Sequence, residues 1–154
     1  SNNPDAYVLE RANKHSINSM LFTKAQFRES EEVLNELKKA GVTHIVLAGF
    51  LWLVPDSLIK AFPHHIINIH PALLPKYGGK GMYGMKVHEA VKLAGECETG
   101  ITIHEVNAHY DEGKILFQAK CEILPSDTPE QIANKIHQLE HAHYPKVIEK
   151  WIQS

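Results

Sequence analysis

Asn68 and His70 close the short apolar run Ile66-Ile67, and Asp111 opens the turn Asp111-Glu112-Gly113 a few residues after His104. These residue types fit one kind of chemistry. An imidazole titrates near neutral pH and can take or give a proton. A side-chain amide can donate to an oxygen that gains negative charge on a carbonyl carbon. A carboxylate can orient the imidazole and favour its charged form. Two residues apart on a strand, Asn68 and His70 face the same side. The plainer readings are a hydrogen-bonded structural histidine at a strand end and, for Asp111, an ordinary turn. Pro71 and Pro75 mark the exit from the pair as a rigid loop.

A rival constellation is His137-Gln138-Leu139-Glu140-His141, which matches the H-x-x-E-H pattern of inverted zinc peptidases. Its histidines lie four apart on one helical face, a workable ligand spacing, but a zinc site needs a third protein ligand. Only Glu149 follows as an acidic candidate, so no metal is expected.

The elements that must position these groups alternate along the chain. Asn3 and Pro4 read as the cap and first position of a helix through Tyr7, Val8, Leu9 and Ala12. Ile17 to Phe22 is a short strand candidate. Glu29 to Ala40 places Val33, Leu34 and Leu37 on one helical face, closed by Gly41. Val42 to Phe50 reads as a continuous apolar strand, as expected where both faces of a sheet are covered. Pro55-Asp56 opens a helix that ends near Phe62-Pro63, and Ile66 to His70 is the next buried strand. Met85 to Ala94 is helical, with Val87, Val91 and Ala94 inward. Thr99 to Val106 and Ile115 to Ile123 are strands, and Thr128-Pro129-Glu130-Gln131 is a capping box that starts a long helix to about Trp151. The alternation predicts an α/β domain with a mostly parallel sheet flanked by helices, and a later antiparallel strand pair. Residues 1–154 are expected to form one domain. Ligands of such sheets bind at the carboxyl ends of the strands, where Asn68, His70 and Asp111 fall.

Composition narrows the partners. A chain of 154 residues with 44% hydrophobic and 22% charged residues has the make-up of an ordinary soluble globular protein. Sixteen basic against eighteen acidic residues give a formal charge of -2, which argues against nucleic acid, whose binders show a concentrated basic face. A small anionic substrate remains compatible. No apolar run approaches the ~18 residues of a membrane span. Cys97 and Cys121 form neither a metal spacing nor a disulfide framework and read as free thiols of a reducing, cytoplasmic compartment.

The stretch Asn68-Ile69-His70-Pro71-Ala72-Leu73-Leu74-Pro75-Lys76-Tyr77 resembles the signature of the folate-dependent formyltransferases, in the N-I-H-P-x-L-L-P-x-Y form of the branch that acts on glycinamide ribonucleotide. Val46-Leu47-Ala48-Gly49-Phe50 precedes it at the family's distance. Gly100 to His104, Asp111 to Gln118 and Gln138 to Pro145 resemble the later blocks, so the similarity runs along nearly the whole chain in order.

The resemblance implies a Rossmann-like formyltransferase sheet and a reaction. A formyl group would pass from 10-formyltetrahydrofolate to the primary amine of glycinamide ribonucleotide, in purine synthesis, with no metal. Asn68 would donate to the tetrahedral oxyanion. His70 would stabilise it as imidazolium or shuttle the amine proton. Asp111 would hold His70 and raise its pKa. The folate would lie against Leu51, Trp52, Leu53 and Val54, Asn68, and the loop of Asn107, Ala108, Tyr110 and Asp111. Glu140 would contact the ribose, and Arg28 compares with an arginine near the folate tail. The partners implied are these two small molecules, without nucleic acid or membrane; a homodimer is left open. Relatives begin with a strand and a Gly-Ser-rich, phosphate-cradling loop. Ser1-Asn2 resembles the residues just past their second strand, so a front unit of about 30 residues is expected to be missing. Trp52 stands where relatives often carry Arg, and Gly79 to Tyr83 departs from the family pattern. The alternatives are a formyltetrahydrofolate hydrolase, a methionyl-tRNA formyltransferase, or an inactive fragment lacking the phosphate loop.

Overall fold

The computed structural model describes residues 1–154, which form two compact units, 1–42 and 43–154. The first unit holds three helices: α1 (Tyr7–Lys14), α2 (Lys24–Arg28) and α3 (Glu32–Lys39). Asn3 does not cap α1. Its Oδ1 accepts from the Asp5 amide at 3.0 Å, closing a separate turn, and the helix starts after Ala6 with no side-chain cap. Ile17 to Phe22 forms no strand. The Ile17 amide donates back to Ala12 O at 2.8 Å, and further on Ser1 pairs with the segment, its amino group donating to Met20 O at 2.9 Å and its carbonyl accepting from Phe22 N at 3.2 Å; one residue of partner makes no ladder. The helix expected over Glu29 to Ala40 is α3, which starts at Glu32, and an unexpected short helix, α2, precedes it. Thr23 and Gln26 form a capping box that starts α2 early, and Arg28 ends it. Gly41, at φ +71, closes α3: its amide reaches Lys38 O and that of Val42 reaches Leu37 O, both at 3.0 Å. This is the paired C-terminal bond of a Schellman motif.

The second unit carries β1 (Ile45–Leu47), α4 (Asp56–Ala61), β2 (Ile66–His70), α5 (Met85–Leu93), β3 (Glu98–Glu105), β4 (Ile115–Glu122) and α6 (Pro129–Ile152). The sheet order is β1-β2-β3-β4. β1 and β2 are parallel, while β2–β3 and β3–β4 are antiparallel, so the parallel character is confined to one pairing. β1 is shorter than the run from Val42 to Phe50: the chain bends after Leu47, and Gly49 takes φ +64, a conformation open to glycine. Ile67 and Ile69 of β2 and Ile101 and Ile103 of β3 pack against Ile136 and Tyr144 of α6. Ala72, Val87, Val91, Ile123 and Ile132 form a second cluster. On α5 the inward residues are Val87, His88 and Val91, whereas Ala94, expected inward, is the exposed cap residue. Thr128 and Gln131 form the expected capping box of α6. No helix is long and apolar enough to cross a membrane.

The opposite face of β2 and β3 is buried yet polar. Across the ladder Asn68 stands opposite His104 and His70 opposite Thr102, and Thr102 in turn faces Gln118 on β4. Thr102, 0% exposed, uses its whole hydroxyl. It donates to Ala72 O at 2.7 Å and accepts from Leu74 N at 3.0 Å and Gln118 Nε2 at 2.9 Å. Gln118 Nε2 also donates to Leu74 O at 3.0 Å. This hydroxyl fastens the loop that leaves β2 to the middle of β3. Replacing Thr102 with Val keeps the shape and orphans buried groups at about 1–3 kcal/mol each. Thr102→Val is therefore expected to lose at least about 2 kcal/mol in urea unfolding, and Thr102→Ser to recover most of it.

Candidate active site

Four polar side chains meet at the carboxyl end of β2, placed there by three segments of the chain. Asn68 and His70 share a face of β2. His104 reaches the same place from β3, where the pairing with β4 is irregular between Ile103 and His104. Asp111 comes from the turn joining β3 to β4 and adopts φ +57, a left-handed conformation that Asp tolerates better than most residues. Gly113, two residues on, lies so close to Glu105 that a Cβ there would sit on the Glu105 carbonyl oxygen. At Gly78 a Cβ would come 2.5 Å from Leu74 Cδ2 and 3.2 Å from Asp111 Cβ. Glycine at both positions lets the two loops close onto the carboxylate.

The hydrogen bonds define the ring orientations. His70 Nε2 lies 2.7 Å from the carbonyl of Tyr77, which can only accept, so Nε2 carries a proton. His70 Nδ1 is then the free face, 3.6 Å from Asp111 Oδ2. His104 Nδ1 donates to the Glu105 carbonyl at 2.8 Å, and its Nε2 receives the Asn68 amide at 3.2 Å. Asp111 Oδ1 stands 3.5 Å from His104 Nε2, and Asp111 Oδ2 accepts from the Gly79 amide at 2.9 Å.

Burial decides the charge of His70. Desolvation of its ring, 3% exposed, lowers the pKa from the ordinary 6.5. Asp111 and the Tyr77 carbonyl raise it and His104 lowers it further, and burial prevails. Asp111 does raise the His70 pKa, as expected, but burial outweighs that pull and the net shift is downward. Asp111 is held below the usual carboxylate range. Burial alone would raise it, but hydrogen bonding from the protonated His104 ring, the charge His70 carries when protonated, the Gly79 amide and the charge of protonated His104 together exceed that. The resting pair is a neutral imidazole beside an ionised carboxylate.

These groups line a cavity of about 800 Å³, a size that suits a drug-sized ligand. Of the sequence-predicted residues, Leu51, Trp52, Leu53, Val54, Asn68, His70, Asn107, Tyr110, Asp111 and Glu140 line it, and exposed Ala108 does not. Phe50 and Trp52 pack edge to face, with ring centroids 5.9 Å apart. Glu140 is half-buried, and that burial raises its pKa against the pull of His137 and His141. His137 and His141 also line the cavity, but no group of three His, Cys, Asp or Glu residues is placed to hold a metal ion. Sequence reasoning missed His88, which is 3% exposed, lines the cavity and leaves Nδ1 without a partner. Its only sequence signal is its place three residues before Val91, on the inward face of α5.

An amide donor, a neutral imidazole and a carboxylate around one cavity define a site for acid–base-assisted group transfer to or from a carbonyl carbon. Comparison with known proteins makes the class specific. The formyl transferase family matches residues 1–148, and the chain belongs to that family. Similar curated proteins include the chloroplastic phosphoribosylglycinamide formyltransferase of Arabidopsis thaliana, 43% identical over 153 residues, 96% of this chain and 52% of that protein. The phosphoribosylglycinamide formyltransferase of Bacillus subtilis is 39% identical over 153 residues, 96% of this chain and 75% of its own. The crystal structure of the Streptococcus pneumoniae phosphoribosylglycinamide formyltransferase superposes with a TM-score of 0.87 at 32% identity, covering 99% of this chain and 84% of the other. The chain spans about half the length of the plant relatives it matches, 52% and 46%.

The opposing effects on His70 can be separated. Asp111→Asn keeps an acceptor for the Gly79 amide and removes the attraction that favours the imidazolium. The His70 titration followed by NMR is expected to move further below that of the unmodified protein. An upward shift would show that the carboxylate does not face the ring as described.

Proposed function

We propose that this chain transfers the formyl group of 10-formyltetrahydrofolate to the amine of glycinamide ribonucleotide; the names of its relatives support formyl transfer to that acceptor. The observation that carries this reading is the convergence of Asn68, His70 and Asp111 at the wall of one large cavity. In this scheme the amine nitrogen attacks the formyl carbon and the carbonyl pair moves onto oxygen. Asn68 donates to that oxygen. His70, neutral at rest, takes the amine proton on Nδ1, beside Asp111, and returns it to the folate nitrogen as the carbon–nitrogen bond breaks. The apolar strip Leu51 to Val54 and the loop Asn107 to Asp111 would hold the folate ring. Glu140, on α6 across the cavity, would meet the ribose. The partners on this reading are two small molecules, with neither nucleic acid nor membrane, in a reducing compartment.

The test is formyl transfer from a 10-formyl folate analogue to glycinamide ribonucleotide. Removing the proton acceptor in His70→Ala is expected to cost about 10²–10⁴-fold in kcat. Removing the amide in Asn68→Ala is expected to cost about 10²–10³-fold. Because burial lowers the His70 pKa, activity should persist to below pH 6.5 and fall only on the acid side of that value. Full activity in Asp111→Ala would remove that residue from the scheme, and activity lost already at pH 7 would mean the resting imidazole is charged.

A further inference from the structure

His70 keeps one ring nitrogen for the substrate because the other is taken by the Tyr77 carbonyl, 2.7 Å from Nε2. That carbonyl is not held by a regular element. Tyr77 is a non-glycine residue at φ +57, a backbone state that persists only where the surroundings impose it. Two features impose it here. The Tyr77 ring packs on the cluster of Ala72, Val87 and Val91. Its hydroxyl donates to Glu96 Oε1 at 2.9 Å, and Lys76 Nζ reaches the same oxygen at 2.8 Å. Glu96 sits in the turn between α5 and β3, anchored by its amide to Val91 O at 3.4 Å. Tyr77 and Glu96 line a separate cleft of about 270 Å³ rather than the main cavity, so neither side chain lies where a substrate would bind.

We propose that Glu96 is a positioning residue for His70. Through the Tyr77 hydroxyl it fixes the Lys76–Tyr77 corner, so that the Tyr77 carbonyl keeps the His70 proton on Nε2 and leaves Nδ1 open to the substrate. The proposal deepens the formyl-transfer reading and rests on it for its catalytic consequence. The other groups acting on the His70 ring are Asp111, His104 and His88, and none of them bonds to Nε2. Without the tie to Glu96 the corner can relax from its left-handed state, the carbonyl swings off Nε2, and the ring populates both neutral tautomers. The fraction protonated on Nδ1 then has no lone pair on the nitrogen that must accept a proton.

Tyr77→Phe removes one oxygen while keeping the packed ring and the carbonyl. Nitrogen-15 NMR of the ligand-free protein is expected to show His70 in the Nε2–H tautomer in the unmodified chain. In Tyr77→Phe and Glu96→Ala a mixture of tautomers and a shifted titration are expected, whereas Glu96→Gln, which still accepts from the hydroxyl, should resemble the original. In the transfer assay Tyr77→Phe and Glu96→Ala should lower kcat about 10-fold to 100-fold, as small displacements of a reacting group do, with KM for the folate little changed. The double variant should be no worse than either single one. If the His70 tautomer and titration are the same in Tyr77→Phe as in the original chain, the proposal is wrong, whatever the activity. If the original chain transfers no formyl group while the tautomer responds, the formyl-transfer reading falls and the positioning role stands.

Discussion

A carboxylate with only 10% of its side chain exposed must find compensating partners or lose its charge, and Asp111 faces three segments. The Gly79 amide, from the loop after β2, donates to it, while the His70 ring from β2 and the His104 ring from β3 stand 3.6 and 3.5 Å away and donate only when protonated. Each partner belongs to a different segment, so the ionised carboxylate is a joint between them. Much of the local geometry follows from that need. Gly78 and Gly113 lack side chains where a Cβ would keep the loops apart. Asp111 accepts a left-handed backbone to turn its carboxylate inward. The same joint makes the site sensitive to acid: protonating Asp111, whose folded pKa is depressed, removes its stabilisation as pH falls through the carboxylate range. The imidazoles of His70 and His88, buried neutral, add a loss that begins below the ordinary histidine pKa, because the unfolded chain binds those protons more readily.

The polar face of β2 and β3 shows how a sheet can bury hydrogen-bonding side chains without penalty. Cross-strand neighbours share a face, so Asn68 opposite His104 and His70 opposite Thr102 form a contiguous polar strip. Its lower part is structural, with Thr102 and Gln118 tying the exit loop to the sheet. Its upper part opens into the cavity. A one-residue slip in the β2–β3 register would turn that strip onto Ile136 and Tyr144 of α6 and the isoleucines into the cavity. Register and site are therefore a single specification.

Where the sequence is legible, the signal is local. β2 runs over the expected residues Ile66 to His70 because its apolar run ends in polar side chains and a proline. The start of α6 is legible because Thr128 and Gln131 satisfy each other's backbone partners within four residues. The features that escape a sequence reading depend on distant partners. Ile17 to Phe22 has strand-like composition but no ladder to join. β1 ends early because the bend at Ala48-Gly49 overrides an apolar run. Asn68, His70 and Asp111 are identifiable by type and spacing, and the family resemblance gathers the cavity lining around them. The sign of the His70 shift is not readable, since it is the balance of one burial against several charges. His88 is hidden for a similar reason, because a histidine between apolar helical positions gives no sign of facing a cavity.

That balance bears on how a formyl-transfer site would work. A histidine already charged in the free protein could meet a developing oxyanion but would have no lone pair with which to take the amine proton. Here burial keeps the ring neutral at rest, with Nε2 committed to the Tyr77 carbonyl. The only nitrogen able to receive a proton is Nδ1, and Asp111 Oδ2 stands 3.6 Å from it. On the formyl-transfer reading, the attraction between imidazolium and carboxylate would appear only when a proton leaves the attacking amine. In a site of low dielectric such an interaction is stronger than in water, and it would grow along the same coordinate as the negative charge proposed to meet Asn68. Desolvation, which costs stability in the folded chain, would on that reading confine the favourable electrostatics to the moment of transfer.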